Sequence, residues 1–384
     1  MRRQGTACLT LAICIALAAG CRKGAINQQD LRNFEQVNLV ADKSIYDPTA
    51  TTDTTLKDAW GLAWSPSGIA WVNATMDGVS ELYTANGVIV RPPVHVPSPT
   101  DSVGGQPIGI VFNSTKGFVL PDKATASFIF DGGDGVISAW NGAAGNNAFR
   151  IANNSATSAY TGLALAASGG VNYLYAADFR AGKIAVWDTS WKAVTWMSFH
   201  DPAIPAGYAP FNIQPVSSWL FVTYARVGAN GRQATGAGEG FVDVFNTDGS
   251  FVRRFASRGT LNAPWGVTMT PAGFLQDRDM DTTGKAGSEL GGGSGGSESG
   301  GSGFNSTASA ILIGSFGDGR INVFSLSGQF LGQLQSNKRT IVIDGLWALG
   351  FAPTTATTVD PDRLYFTAGP AMETDGVFGY LVKQ

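Results

Sequence analysis

A short turn followed by an apolar strand recurs six times along the 384-residue chain. The copies are Asp58-Ala-Trp-Gly-Leu-Ala63, Gln106-Pro-Ile-Gly-Ile-Val111, Tyr160-Thr-Gly-Leu-Ala164, Ala209-Pro-Phe-Asn-Ile213, Ala263-Pro-Trp-Gly-Val267 and Gly345-Leu-Trp-Ala-Leu349. With Gly61, Gly109, Gly162, Asn212, Gly266 and Ala348 taken as equivalent, they stand 48, 53, 50, 54 and 82 residues apart. An insertion lengthens the last interval. A unit of about 50 residues that cannot bury its own apolar faces matches a four-stranded propeller blade, stacked on its neighbours around an axis.

Each unit continues with a second apolar strand, a Gly/Asp turn and a third alternating strand. Unit three reads Tyr173-Leu-Tyr-Ala-Ala-Asp178, then Phe179 to Gly182, then Lys183-Ile-Ala-Val-Trp187. Period-two alternation broken by Asp-Gly turns is a hairpin pattern. Unit six ends with Thr374-Asp-Gly-Val-Phe-Gly-Tyr-Leu-Val382 and lacks an outer strand, whereas Phe34-Glu-Gln-Val-Asn-Leu-Val40 is a strand without a unit. The expectation is an all-β, six-bladed propeller of four antiparallel strands per blade over residues 34–384, its last blade completed by the N-terminal strand. That closure removes an open sheet edge, and a closed ring is expected to be a monomer. Trp60, Trp265 and Trp347 occupy equivalent points in the repeat, which predicts core between blades.

The motifs Ala263-Pro-Trp-Gly-Val267, Gly319-Arg-Ile-Asn-Val-Phe324 and Gly249-Ser-Phe-Val-Arg-Arg-Phe255 resemble NHL-type propeller repeats. With the start Val37-Asn-Leu-Val-Ala-Asp42, the pattern is similar to an uncharacterised family of exported bacterial propellers, some of which carry a PEP-CTERM sorting tail. The resemblance implies fold and export and no particular activity, since one fold serves many chemistries.

Arg2 and Arg3 precede an apolar run, Ala7 to Ala19, too short for a spanning helix and suited to a signal peptide over residues 1–20. The run ends Leu17-Ala18-Ala19-Gly20-Cys21, similar to the lipobox in which the cysteine is lipidated; an ordinary secretory signal is the alternative. Cys8 and Cys14 lie inside the same run, so beyond Cys21 the chain has no thiol for a disulfide, a zinc thiolate or a nucleophile. Residues 21–33 read as a polar tether. The expected address is the bacterial cell envelope, as a periplasmic or outer-membrane lipoprotein touching the membrane only through Cys21. A net charge of −3, with no basic cluster after the N-terminus, leaves nothing to neutralise a phosphate backbone and excludes nucleic acid as the expected partner.

Residues 275–308 interrupt unit five with a Gly/Ser-rich stretch expected to be a flexible loop. Within it Asp277, Asp279 and Asp281 copy the opening of a calcium loop, although Thr282 stands where that loop needs Gly. Up-and-down strands put the start of each inner strand and the turn after each second strand on one face of the ring. The inner-strand starts offer Asp58, Gln106, Tyr160, Asn212, Asn262 and Asp344. The second turns offer Asn73, Asp77, Asp131, Asp134, Asp178 and Asp318. Such an oxygen-rich rim suits Ca²⁺ as a possible cofactor, while Asp before Gly equally suits a plain hairpin turn.

The first functional reading is an exported, lipid-anchored binding or scaffolding module for a protein, glycan or small-molecule ligand. The alternative is a Ca²⁺-dependent hydrolase of the lactonase/gluconolactonase type. That resemblance implies a Glu among the metal ligands, and no inner-strand start supplies one. With only His95 and His200, both expected in peripheral loops, a three-histidine zinc site is excluded, and a quinone-dependent sugar dehydrogenase lacks its channel histidine.

Overall fold

The computed structural model describes residues 26, 28–275 and 309–384. Six small antiparallel sheets follow one another in chain order. Blade one is Ala59–Trp64, Ile69–Ala74, Val79–Thr84 and Val94–His95. Blade two is Pro107–Phe112, Phe128–Gly132, Val136–Trp140 and Phe149–Asn153. Blade three has three strands, Tyr160–Ser168, Val171–Asp178 and Lys183–Asp188, and in place of the expected fourth only a bridge from Trp187 to Ala193. Blade four comprises Tyr208–Val216, Trp219–Val227, Gly240–Phe245 and Phe251–Ser257. Blade five comprises Pro264–Met269, Ile311–Ser315, Ile321–Phe324 and Phe330–Gln333. Blade six is Leu346–Gly350, Leu364–Ala368 and Val377–Lys383, with Phe34–Ala41 as its outer strand. The inner strand of each blade contacts the inner strands of both neighbours, and the sixth contacts the first. The chain is a six-bladed β-propeller.

The packing follows from strands whose two faces are both covered. Six apolar clusters fill the spaces between successive blades, and a seventh lies on the axis. Phe34–Ala41 serves two of them: Phe34 and Ala41 enter the cluster between blades five and six, Leu39 and Val40 the one between blades six and one. The packed body begins slightly before this strand, since Leu31 is fully buried and its carbonyl accepts the Gln335 N–H.

The repeat motif has a structural cause. Every inner strand slips register at the motif, between Ala59 and Leu62, Pro107 and Ile110, Tyr160 and Leu163, Pro210 and Asn212, Pro264 and Val267, and Leu346 and Leu349. This bulge turns the preceding residue toward the axis and brings the repeat glycine against the next blade. A Cβ on Gly61 would stand 2.1 Å from the Ile108 carbonyl oxygen, and one on Gly266 2.7 Å from that of Trp347. Glycine recurs because neighbouring backbones occupy the space of a side chain.

Three tryptophans therefore do not sit between blades as expected; the bulge aims them into the channel. Trp60 stacks on Trp347 with ring centroids 3.6 Å apart, Phe316 covers the other face of Trp347 at 4.0 Å, and Trp265 meets both tryptophans edge-on. With Ile108, Phe179 and Phe211 they plug the axis.

Candidate functional site

Above this plug, on the face where inner strands begin and second turns end, lies a pocket of about 610 Å³. Its floor is Trp60, Ile108 and Phe179. Asp58, Gln106 and Ala159 enter it from the starts of the first three inner strands, and Thr75, Asp77 and Gly133 from second turns. Arg232 and Glu373 come from the far side, where blades four and six have their longest second turns, 227–240 and 368–377.

Asp58 is the central polar group. It is 3% exposed, sits at φ 53° and accepts the Trp347 indole N–H at 3.2 Å. Burial, then the facing Glu373 carboxylate, push its carboxyl up to about 8 against the smaller pull of Arg232. A carboxyl raised that far favours its protonated form at neutral pH. Asp77 pairs with Lys57 at 3.2 Å through one oxygen, and its other oxygen is buried with no hydrogen-bond partner among the described residues.

The opposite wall is one ion pair. Gly228 donates to the Arg232 carbonyl, closing a hairpin that presents Arg232 to the pocket, where its guanidinium meets Glu373. Gln233 donates to the other Glu373 oxygen at 3.2 Å. Glu373 is carried by three successive left-handed non-glycine residues, Ala371, Met372 and Glu373, at φ 54°, 59° and 67°. Such a conformation costs about 1–2 kcal/mol per residue and persists only where the surroundings impose it. Asp344 supplies part of that constraint by accepting the Ala371 N–H at 3.1 Å.

Of the residues proposed from sequence, Asp58, Gln106 and Asp77 line the pocket, and Asp344 braces the loop that carries Glu373. The others do different work. Asn73 and Asp131 are strand residues that pin neighbouring blades. Asn73 donates to the Ile108 carbonyl at 3.0 Å, and Asp131 accepts the Gly109 and Gly162 N–H groups at 2.6 and 3.2 Å. Burial raises the Asp131 carboxyl to about 7 even against those two donors. Asn212 is the fifth residue of its strand and donates to the Trp265 carbonyl at 2.8 Å. Tyr160 turns into the core of blade three against Trp187, where its hydroxyl accepts from Asn154. Asn262 accepts the Gly236 N–H at 2.7 Å, while Asp134, Asp178 and Asp318 accept N–H groups within their own turns. Among the described residues no three His, Cys, Asp or Glu side chains converge on a metal position, because most of these oxygens are committed to blade-to-blade or turn hydrogen bonds. Cys21, Asp277, Asp279 and Asp281 lie outside the described residues. His95 is on the outer strand of blade one and His200 is exposed, both remote from the channel lining.

No family model matches the chain. Over 350 residues it is 29% identical to the uncharacterised protein R648 of Acanthamoeba polyphaga mimivirus, covering 87% of this chain and 77% of that protein. Among solved structures it is similar to a structural genomics protein of unknown function from Bacteroides thetaiotaomicron, with TM-score 0.52 and 10% identity, over 91% of this chain and 76% of the other. A streptogramin B lyase aligns with TM-score 0.48 and 13% identity, over 91% and 97%. These structural likenesses are of fold. That relative is viral, and the resemblance to exported bacterial propellers gains no support from it.

Sequence reasoning missed Arg232, Glu373 and the aromatic floor. Two signals were present. The residue three before each repeat glycine enters the pocket in blades one to three, as Asp58, Gln106 and Ala159. Second turns longer than a tight hairpin needs mark the blades that reach over the mouth.

Proposed function

We propose that this chain is an exported binding module, held to a membrane by lipid on Cys21, that takes a small ligand into the channel-mouth pocket. The single observation that carries the reading is a pocket of ligand size, about 610 Å³, closed below by aromatic rings and lined by a few convergent polar groups. The metal-dependent hydrolase reading finds no cluster of three His, Cys, Asp or Glu side chains to support it among the described residues. Attachment through Cys21 rests on the sequence alone. Cys21→Ser is expected to move the protein from the membrane to the soluble fraction, and incorporation of labelled lipid into that variant would refute it.

The pocket is tested by blocking it. Gln106 is exposed at the mouth and contributes no core packing, so Gln106→Trp is expected to fill the entrance and leave the melting temperature within about 2 °C, as an exposed substitution costs little. In a saturation-transfer NMR screen of polar metabolites, ligands of the wild type are expected to disappear with Gln106→Trp. Ligands that bind both proteins equally would place recognition elsewhere, and a ligand converted to product would replace binding by catalysis.

A further inference from the structure

Resting on the reading of the channel mouth as a binding pocket, we infer that its ligand carries an ammonium or guanidinium group, with Asp58 as counter-ion and Trp60, Phe179 and Ile108 beneath its apolar body. The lining holds three carboxyl groups, Asp58, Asp77 and Glu373, against one guanidinium, Arg232. Arg232 is committed to Glu373, and the neighbouring Lys57 to Asp77. Asp58 has no cation of its own. One of its oxygens takes the Trp347 N–H, and the other makes no hydrogen bond among the described residues, although the side chain is almost wholly withdrawn from water. An acid so placed within the lining of a cavity lacks the partner that a buried carboxylate requires. The unpartnered Asp77 oxygen is a second acceptor in the same lining. Below them lie Trp60 and Phe179, residue types whose aromatic rings attract cations electrostatically.

The charged surroundings of Asp58 are few. Glu373 and Arg232 face it across the pocket, Lys57 and Asp77 lie on its own side, and Asp375 accepts the Asp58 N–H through its backbone carbonyl at 3.0 Å. Asp344 acts on the loop that bears Glu373. Without ligand, burial and Glu373 keep the Asp58 proton in place up to about pH 8. An arriving cation takes over the role of that proton, so association near neutral pH releases one proton to solvent and leaves a carboxylate–cation pair.

The test is calorimetric titration of the purified chain between pH 6 and 9 with phenethylamine, agmatine and choline, set against 2-phenylethanol and phenylacetate, in buffers of different ionisation enthalpy. The expected result is binding of at least one cation, with Kd falling about tenfold per pH unit up to pH 8 and close to one proton released at pH 7. Asp58→Asn is expected to weaken binding at least tenfold at pH 8.5 and to abolish both the pH dependence and the proton release. Asn tolerates the left-handed conformation of residue 58 and can still accept the Trp347 N–H, so that variant folds. Glu373→Gln, which keeps the hydrogen-bonding shape and removes the facing charge, is expected to weaken cation binding severalfold. Two results overturn the inference and leave the pocket reading intact. One is 2-phenylethanol or phenylacetate binding as tightly as the amine and being excluded by Gln106→Trp. The other is binding that takes up a proton, as a carbonyl ligand accepting from protonated Asp58 would. A panel in which no cation binds also overturns it.

Discussion

Removing Phe34 to Ala41 is expected to abolish cooperative folding of the whole ring. The strand pairs with Val377–Lys383 along its length, from Phe34 opposite Lys383 to Ala41 opposite Val377. Its side chains also fill the spaces on both sides of blade six. Phe34 is 1% exposed within one cluster, and Leu39 and Val40 are buried in the other. At about 1.5–3 kcal/mol for each large apolar side chain, those three account for about 4.5–9 kcal/mol. A typical domain has a net stability of about 5–15 kcal/mol, so the deletion consumes most of it. It also bares Val377–Lys383 as an edge strand with apolar side chains, a template for association between chains. Circular dichroism melts and size-exclusion chromatography of the deleted protein should show a broad or absent transition and oligomers. A melting temperature within a few degrees of wild type, in a monomer, would refute the closure.

The second large effect concerns the plug. Trp347→Ala is expected to cost about 3–5 kcal/mol, read as a lowered urea midpoint, because it removes a wholly buried ring held between Trp60 and Phe316 and leaves a cavity on the axis. The same change takes away the donor to Asp58 and part of the pocket floor's support. Trp347→Phe separates the two effects: it retains ring stacking and loses the N–H, so it should keep most of the stability while altering ligand affinity. A loss below about 1 kcal/mol for Trp347→Ala would mean that the rings do not hold the blades together.

The architecture was legible because its determinants are local and repeated. Alternation gives the strands, Asp-Gly pairs give the hairpins, and the glycine of the motif marks where two backbones meet. The orphan strand at Phe34 and the missing strand after Val382 could be matched by counting. The site was less legible because a bulge at the motif breaks the period-two count, and one residue of slip sends a side chain to the opposite face. Tyr160, Asn212 and Asn262 share the start of an inner strand with Asp58, yet they stand two residues before, at, and four residues before the repeat position, whereas the pocket is lined by the third and the first residues before it. Tyr160 consequently packs against Trp187, and Asn212 bonds the Trp265 carbonyl. Arg232 and Glu373 meet across 141 positions of sequence through two loops without a shared motif, a contact that only the closed ring creates.

The inferred cation site depends on the buried Asp58 carboxyl at the mouth of the channel. Its most direct test is the Asp58 carboxyl ¹³C resonance, assigned by its absence in Asp58→Asn and followed from pH 4 to 10 with and without a bound amine. The predicted midpoint is near 8 in the free protein, falling by about two units or more when the amine is present. A free-protein midpoint near 4, the ordinary value for an aspartate in water, would contradict both the buried geometry of the site and the ligand inferred from it.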